Sequence, residues 1–436
     1  MTASDRADAL VIGAGIIGAS LARELAGRGW RVLVVERNHA PGMGSTSSSS
    51  AVIRVHYSTF EGTALAWDGY HDWLEQKARA EHGEDAVARF VHCGCLVMET
   101  PENGHLERQK RFCRTLGIPY EEWDRAAILT RLPGYDLTRY APPRRIDDPA
   151  FGTPAGGEIE RATFFPTAGY VTDPQGAAAA LAREAEARGA RFLFRRSVAA
   201  ILRTGGRVGG VRLADGEEIH APVVVNAAGP SSFRINVMAG VHDEIRVPTR
   251  PLRQEVAHVP QPEGIDFSPD GPIVSDSDIG CYVRPDHGGN ILVGSEMPDC
   301  DPRIYVEDEI GFDRSHTDQW TNQVWRYALR APRLPIPHHP SGVVDLYDVT
   351  PDWIPIYDRS SLEGFFLAIG TSGNQFKNAF SAARLMAGLI EYCVNGGDHD
   401  TRPYTHALPH AGVAIDAGFF SRLRDPVGES SRSVLG

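Results

Sequence analysis

Hydrophobic residues open the chain in short blocks rather than in alternation. Ala9–Ile12 is an unbroken apolar run and predicts a buried strand; Val32–Val35 is a second. Between them, from Ile16 to Arg28, apolar residues recur at helical spacing until Gly29 closes the helix. The block pattern returns downstream in Pro222–Pro230 (PVVVNAAGP) and Phe365–Gly370 (FFLAIG), and a helix over Gln375–Asn395 follows the latter. Runs of this kind suit strands covered on both faces, so three separated stretches are expected to share one lobe.

The stretches between them read differently. Arg89–Thr100 alternates like a strand, and Ala162–Val171 is strand-like. Pro251–Val259, Gly280–Pro285 and Asn290–Gly294 predict strands of an antiparallel sheet. Helices are expected over Ala64–His82, Glu107–Leu116, Arg125–Leu132 and Trp320–Leu329. The clearest helix takes in Ala177–Arg188, with Asp173 as N-cap, Pro174 at its first position and Gly189 as its stop. Arg191–Phe194 and Val198–Ile201 are strand candidates, and Val208–Ile219 is a hairpin turning at Asp215-Gly216. Ala141–Glu160 and Arg330–Gly342 are Pro-rich loops, and the tail from Asp416 is expected to fray.

The fold class is α/β. A Rossmann-like dinucleotide-binding domain is expected from residues 1–88, 163–245 and 343–415, and a second, substrate-binding domain on an antiparallel sheet from 89–162 and 246–342, with 416–436 as tail. The 436 residues and 42% hydrophobic content suit two lobes with sizeable cores. A net charge of -12 disfavours nucleic acid and anionic membrane as partners. Six scattered cysteines fit a reducing compartment. Cys93-Gly-Cys95 lacks the second pair of a metal site, so no metal is expected. No apolar stretch reaches the length of a membrane span, and a cytoplasmic protein is expected.

The first turn carries the first chemistry. In VIGAGIIGAS, Gly13 permits a tight turn, Gly15 lets backbone approach a pyrophosphate, and Gly18 lets helix pack against strand. The N–H groups of Ile16 and Ile17 begin a helix whose positive end faces the phosphates. Glu36 follows at the spacing of a ribose-binding acid. The loop GSTSSSSAVIRVHY, from Gly44, offers small hydroxyl residues beside a ligand. These features alone leave NAD and FAD both open.

Five segments in order then resemble the family of FAD-dependent amine and amino-acid oxidoreductases that includes D-amino-acid oxidase, glycine oxidase and sarcosine oxidase. They are VIGAGIIGAS with Glu36, GSTSSSSAVIRVHY, VVVNAAGP, DVTPDWIPI and GTSGNQFKNAF. The resemblance implies FAD and a cofactor domain of the GR2 type. Its cofactor residues here are the three fingerprint glycines, Ile16, Ile17, Glu36, Arg37, Ser45, Thr46, Ser48, Ser49, Val198, Ala227, Ala228 and Gly229, with Gly370, Ser372, Gly373, Asn374, Gln375 and Lys377 near the ring. The Gly370–Asn374 amides and the last helix are expected to face the flavin's pyrimidine end.

The resemblance favours the sarcosine oxidase-like branch. That branch has an Arg after the Ser-rich loop and a Lys at the last helix, matched here by Arg54 and Lys377. Glycine oxidase-type enzymes instead place an Arg before the segment that is DVTPDWIP here, where this chain offers Asp345, Leu346, Tyr347 and Asp348. Covalent flavin attachment in relatives uses a Cys near Asp345 or a His near Ser48; neither is present, so FAD is expected to be noncovalent. Leu292 stands where monomeric sarcosine oxidase has an oxygen-activating Lys. That leaves the electron acceptor open between oxygen and another species, and leaves room for a homo-oligomer or partner subunits.

The expected reaction is oxidation of the C–N bond of a carboxylate-bearing secondary or N-alkyl amine, sarcosine-like, by hydride transfer to flavin N5. The imine then hydrolyses. Arg54 and Lys377 are expected to hold the carboxylate, with His56 tuning the amine and Tyr282 and Arg284 lining the pocket as a same-face pair. His56, not Tyr57, is expected to share a face with Arg54, by strand periodicity. Rival readings are a dehydrogenase subunit serving a non-oxygen acceptor, a flavin monooxygenase, a subunit that relays electrons without its own substrate, and a plain NAD dehydrogenase.

Overall fold

A computed structural model describes residues 7–82, 88–267 and 271–433. The outermost positions of the expected first domain and of the tail lie outside the described residues. Among them, the apolar blocks form a six-stranded sheet in the order Ile356–Arg359, Phe365–Ile369, Val223–Asn226, Ala9–Ile12, Val32–Val35, Arg191–Leu193. Neighbours run parallel except at the edge strand Ile356–Arg359. Every residue of the four inner strands is buried, which is why they read as unbroken apolar runs. Alternate residues face two different cores. Val11, Val34 and Val225 meet the helices Ile16–Gly27, Pro174–Ala187 and Ala379–Val394. Leu10, Leu33 and Val224 meet a three-stranded sheet of Val198–Thr204, Arg207–Leu213 and Glu218–His220.

The second lobe carries eight described strands in one sheet, ordered Gly342–Val349, Arg250–Pro260, Asn290–Ser295, Cys281–Asp286, Ile273–Asp276, Cys95–Met98, Arg161–Phe165, Glu121–Asp124. It is mixed rather than purely antiparallel, because Ile273–Asp276 and Cys95–Met98 run parallel. Positions 163–165 and 343–349, given to the cofactor domain on sequence, pair in this sheet instead. The helix Asp318–Arg330 packs on it through Trp320, Val324 and Tyr327.

Three expected elements change. Arg89–Thr100 is two strands, not one. At Gly94, with φ +77°, the chain leaves the small sheet of Phe90–Val91 and Gly169–Val171 and enters the large one at Cys95. A Cβ at Gly94 would stand 2.2 Å from the Phe164 ring, so only glycine turns here. Ala162–Val171 divides in the same way around Pro166, which has no N–H to donate. The helix expected from Ala64 starts at Phe60, capped by Thr59, whose Oγ1 accepts from Gly62 N.

The tail does not fray. After the helical turn Ala417–Phe420, Arg422 is 2% exposed between Asp358, Asp400 and Glu244. Arg424 pairs with Asp352. The segment is polar because its charges are matched inside the fold. No helix among the described residues is long and apolar enough to cross a membrane.

Candidate active site

The Gly-rich turn joins the inner strand Ala9–Ile12 to its helix by close backbone contact. Gly13 sits at φ +105°, where a Cβ would lie 2.4 Å from the Ala227 carbonyl. A Cβ on Gly18 would lie 2.0 Å from the Gly13 carbonyl. Gly15 begins the helix without a side chain to cap it. Glu36, 8% exposed, accepts from Ala14 N and Asn38 N, both at 2.8 Å, which fixes the turn and leaves lone pairs for a hydroxyl. Thr46 Oγ1 accepts from Ile16 N at 3.0 Å, so the Ser-rich loop lies against the helix start. Where Gly44 and Gly229 would carry a Cβ there is open space. A helix start whose own N-cap is a glycine, touched among the described residues only by the Thr46 hydroxyl, with a fixed acid nearby, fits a dinucleotide. Arg37 reaches the Ser231 hydroxyl at 2.9 Å, and Val198 opens the three-stranded sheet.

A pocket opens between the two lobes. The Ser-rich loop and its continuation bring Ser49, Ser50, Arg54 and His56; the large sheet brings Cys95, Ser275, Tyr282 and Tyr347; the turn before the last helix brings Gly373, Asn374 and Lys377. Arg54 and Lys377 both lie over the ring of Tyr57, at 4.5 and 4.3 Å from its centre. Arg54 donates to the His56 carbonyl at 2.7 Å. Lys377 Nζ donates to the Asn374 carbonyl at 2.5 Å, and Tyr57 donates to the same oxygen at 3.1 Å. Ser48 donates to Asp345 at 2.5 Å, tying the Ser-rich loop to the strand Gly342–Val349.

Burial sets the electrostatics. It pushes Arg54 down to about 10 and, with Arg54 beside it, holds Lys377 well below its ordinary value. His56 is also held well below its ordinary value, by burial first and then by Arg54 and Lys377. Its ring stacks on Phe165 at 4.0 Å, and Nδ1 finds no hydrogen-bond partner among the described residues. Behind the pocket, burial raises the Glu296 carboxyl to about 7, although Ser275 and Ser277 donate to it. Two buried cations on one pocket wall favour an anion, and a neutral imidazole there can accept one hydrogen bond.

Three sequence expectations are corrected. Arg284 does not line the pocket: its guanidinium lies over Tyr170 at 4.3 Å, donates to the Pro285 carbonyl and faces Asp286. Tyr282 does line it, held to Ser50 across 3.1 Å. Residues 54–57 lie outside the short strand Val52–Ile53, so alternation does not apply and Tyr57 packs with Arg54 after all. The amides of Gly370, Ser372 and Asn374 donate to Asp348 Oδ2, the Asp348 carbonyl and the Thr371 carbonyl, so they are not offered to a ring. Gln375 is buried in bonds with Tyr357 and Asn378. Trp353 packs with Leu252, Met297 and Val349 and meets Tyr347 edge-on. The sequence reading sets Tyr57 aside, gives Tyr347 no role and misses Glu296; only Tyr57 carried a signal, its place three residues after Arg54.

Comparison with known proteins follows this geometry. The tRNA 5-methylaminomethyl-2-thiouridine biosynthesis bifunctional protein MnmC of Ralstonia nicotianae is 26% identical over 257 residues, 58% of this chain and 34% of that protein. Anaerobic glycerol-3-phosphate dehydrogenase subunit A1 of Haloferax volcanii is 29% identical over 259 residues, 54% of this chain and 38% of that one. The matches therefore span little more than a third of either relative. The crystal structure of L-proline dehydrogenase from P. horikoshii superposes with a TM-score of 0.75 at 23% identity, covering 96% of this chain and 98% of that one. Glycine oxidase from Geobacillus kaustophilus gives 0.72 at 22%, covering 97% and 99%. The family model described as DAO, FAD dependent oxidoreductase, matches residues 8–389, and the chain belongs to that family.

Proposed function

We propose that this FAD-dependent oxidoreductase oxidises the C–N bond of an amine bearing a carboxylate, a secondary or N-alkyl amino acid, to an imine that water hydrolyses. The observation that carries the reading is the pair Arg54 and Lys377, buried together over Tyr57 and both facing the pocket. A carboxylate entering there sets its negative charge against both buried cations. Arg54 can take it as a fork and Lys377 as a point charge. His56, unprotonated, can accept from the amine N–H and so favour its neutral, oxidisable form. Tyr282 and Tyr347 wall the remaining volume and limit the amine's substituents.

Bound FAD supplies the two-electron acceptor for hydride from the carbon next to nitrogen. The fingerprint glycines, Glu36 and the Ser-rich loop would hold its phosphates and ribose, with no covalent link, since neither Ser48 nor Asp345 can form one of the known kind. The acceptor downstream is oxygen or another species. Leu292, apolar where the sarcosine oxidase resemblance places a lysine, favours the second.

Anaerobic mixing of the yellow protein with a panel of amines tests this. Bleaching by N-methyl amino acids and not by their decarboxylated counterparts is expected, and is lost in Arg54→Ala. No bleaching by any carboxylated amine overturns the reading. Admission of air then separates oxidase from dehydrogenase by the speed of re-yellowing.

A further inference from the structure

We propose that Arg424, on the segment that follows the family's matched span, is a positioning residue for the carboxylate-binding side chains. The proposal rests on the reading of Arg54 and Lys377 given above. The family match ends at residue 389, so nothing in it assigns a role to this segment.

Arg424 grips one turn from several sides. Its Nε and Nη2 fork onto the two carboxylate oxygens of Asp352, both at 2.9 Å. The same guanidinium donates to the carbonyls of Ile354 at 2.7 Å and Pro355 at 3.2 Å. Val427 N donates to the Asp352 carboxylate, and the Ser430 hydroxyl to its carbonyl. Asp352 is fully buried, so these bonds are made away from water, where each counts for more.

From Asp352 two steps reach the site. The next residue, Trp353, is held at φ +59°, a conformation that persists only where the surroundings over-determine it. Its carbonyl accepts from Asn374 Nδ2 at 3.3 Å. The carbonyl of Asn374 is the shared acceptor of Lys377 Nζ and Tyr57 OH. A separate stitch joins Ser431 N to Ser58 Oγ at 3.3 Å, one residue beyond Tyr57. One segment therefore braces both the turn that carries Lys377 and the loop that carries Arg54. Arg422 anchors the segment independently through Asp358, Asp400 and Glu244, so removing Arg424 need not release it.

The test uses the full-length, FAD-loaded protein. Arg424→Ala is compared with Arg424→Lys and with Arg246→Ala, which removes an exposed contact to Asp425 of the same segment. Amide hydrogen exchange over residues 350–357 and 370–378 is expected to quicken about tenfold in Arg424→Ala. Binding of propionate, read as a shift of flavin absorbance, is expected to weaken about tenfold, with FAD content unchanged. Arg424→Lys falls between, and Arg246→Ala matches wild type. Should Arg424→Ala not fold, Arg424→Lys carries the same comparison against wild type. Unchanged exchange over both stretches overturns the proposal, whatever the substrate is. Faster exchange with unchanged propionate affinity overturns it too, as does a loss of FAD in step with both. A wild-type protein blind to every carboxylate defeats the functional reading instead, and the exchange arm still judges the brace.

Discussion

The Gly13–Gly18 turn and the Arg54–Lys377 pocket solve opposite physical problems. At the turn, function depends on atoms that are absent: two missing Cβ positions let strand, helix and the Ala227 carbonyl close to within contact. Apart from the Ala227 carbonyl its parts are neighbours in sequence, and Glu36 ties Ala14 of the turn to Asn38 with one backbone bond each. In the pocket, function depends on charge that the fold alone does not favour. Arg54 and Lys377, more than three hundred positions apart in sequence, are both driven toward neutrality by burial. The turn is a shape that tolerates no added atom. The pocket is a strained electrostatic arrangement that a ligand relieves, so substitutions should hurt the two regions in different ways.

The largest expected effect is at the turn. Gly13→Ala places a methyl 2.4 Å from a backbone oxygen at a φ that alanine rarely adopts, and neither neighbour can yield. The variant is expected to lose FAD entirely and to melt at least 10 °C lower, read by flavin absorbance and calorimetry. Normal FAD content in it would erase the contrast. In the pocket the expected loss is of activity with FAD kept. Arg54→Ala should cost about 4 kcal/mol in kcat/KM for a carboxylated amine, close to a thousandfold. Lys377→Met should lose catalysis similarly, yet the FAD-free protein should melt no lower than wild type, because a buried amino group with no carboxylate partner among the described residues is replaced by an apolar chain of similar length. A lower melting temperature in Lys377→Met refutes the claim that the pocket stores electrostatic cost.

The same contrast explains what could be read from the chain. The turn was legible because its determinants are local: three glycines, an apolar strand on each side and an acid at fixed spacing. Arg54 and Lys377 were legible only through resemblance, since nothing local distinguishes them from surface charges. Arg284 was misplaced because period two fixes the face of a strand but not how far along it the pocket extends. The divided strands at Gly94 and Pro166 were missed because alternation continues across a change of sheet. The tail misled through composition: Arg422 and Arg424 look solvated until Asp358, Asp400 and Asp352 arrive from distant positions.

Glu296 sharpens the electrostatic half. Burial raises its carboxyl from an ordinary 4.5 to about 7, so between those values the folded protein holds a proton that the unfolded chain has released. Stability therefore falls as pH rises through that window, by about 3 kcal/mol in all. Glu296→Gln removes the ionisable group while keeping an oxygen to accept from Ser275. The variant is expected to match wild type near pH 4.5 and to exceed it above pH 7 in denaturant titrations. Equal pH slopes in the two proteins would falsify the assignment.

The smallest effect separates the ring of Tyr57 from its hydroxyl. The ring underlies both cations, while the hydroxyl only donates to the Asn374 carbonyl at 3.1 Å. That oxygen keeps its bond from Lys377 when the hydroxyl goes, so no buried acceptor is orphaned. Tyr57→Phe should therefore raise KM only about fivefold, near 1 kcal/mol, with kcat unchanged. Tyr57→Leu also removes the aromatic face and should add about another 1 kcal/mol. If Tyr57→Phe costs as much as Tyr57→Leu, the hydroxyl and not the ring holds the two cations in place, and the pocket is then built on a hydrogen-bond network rather than on stacked charge.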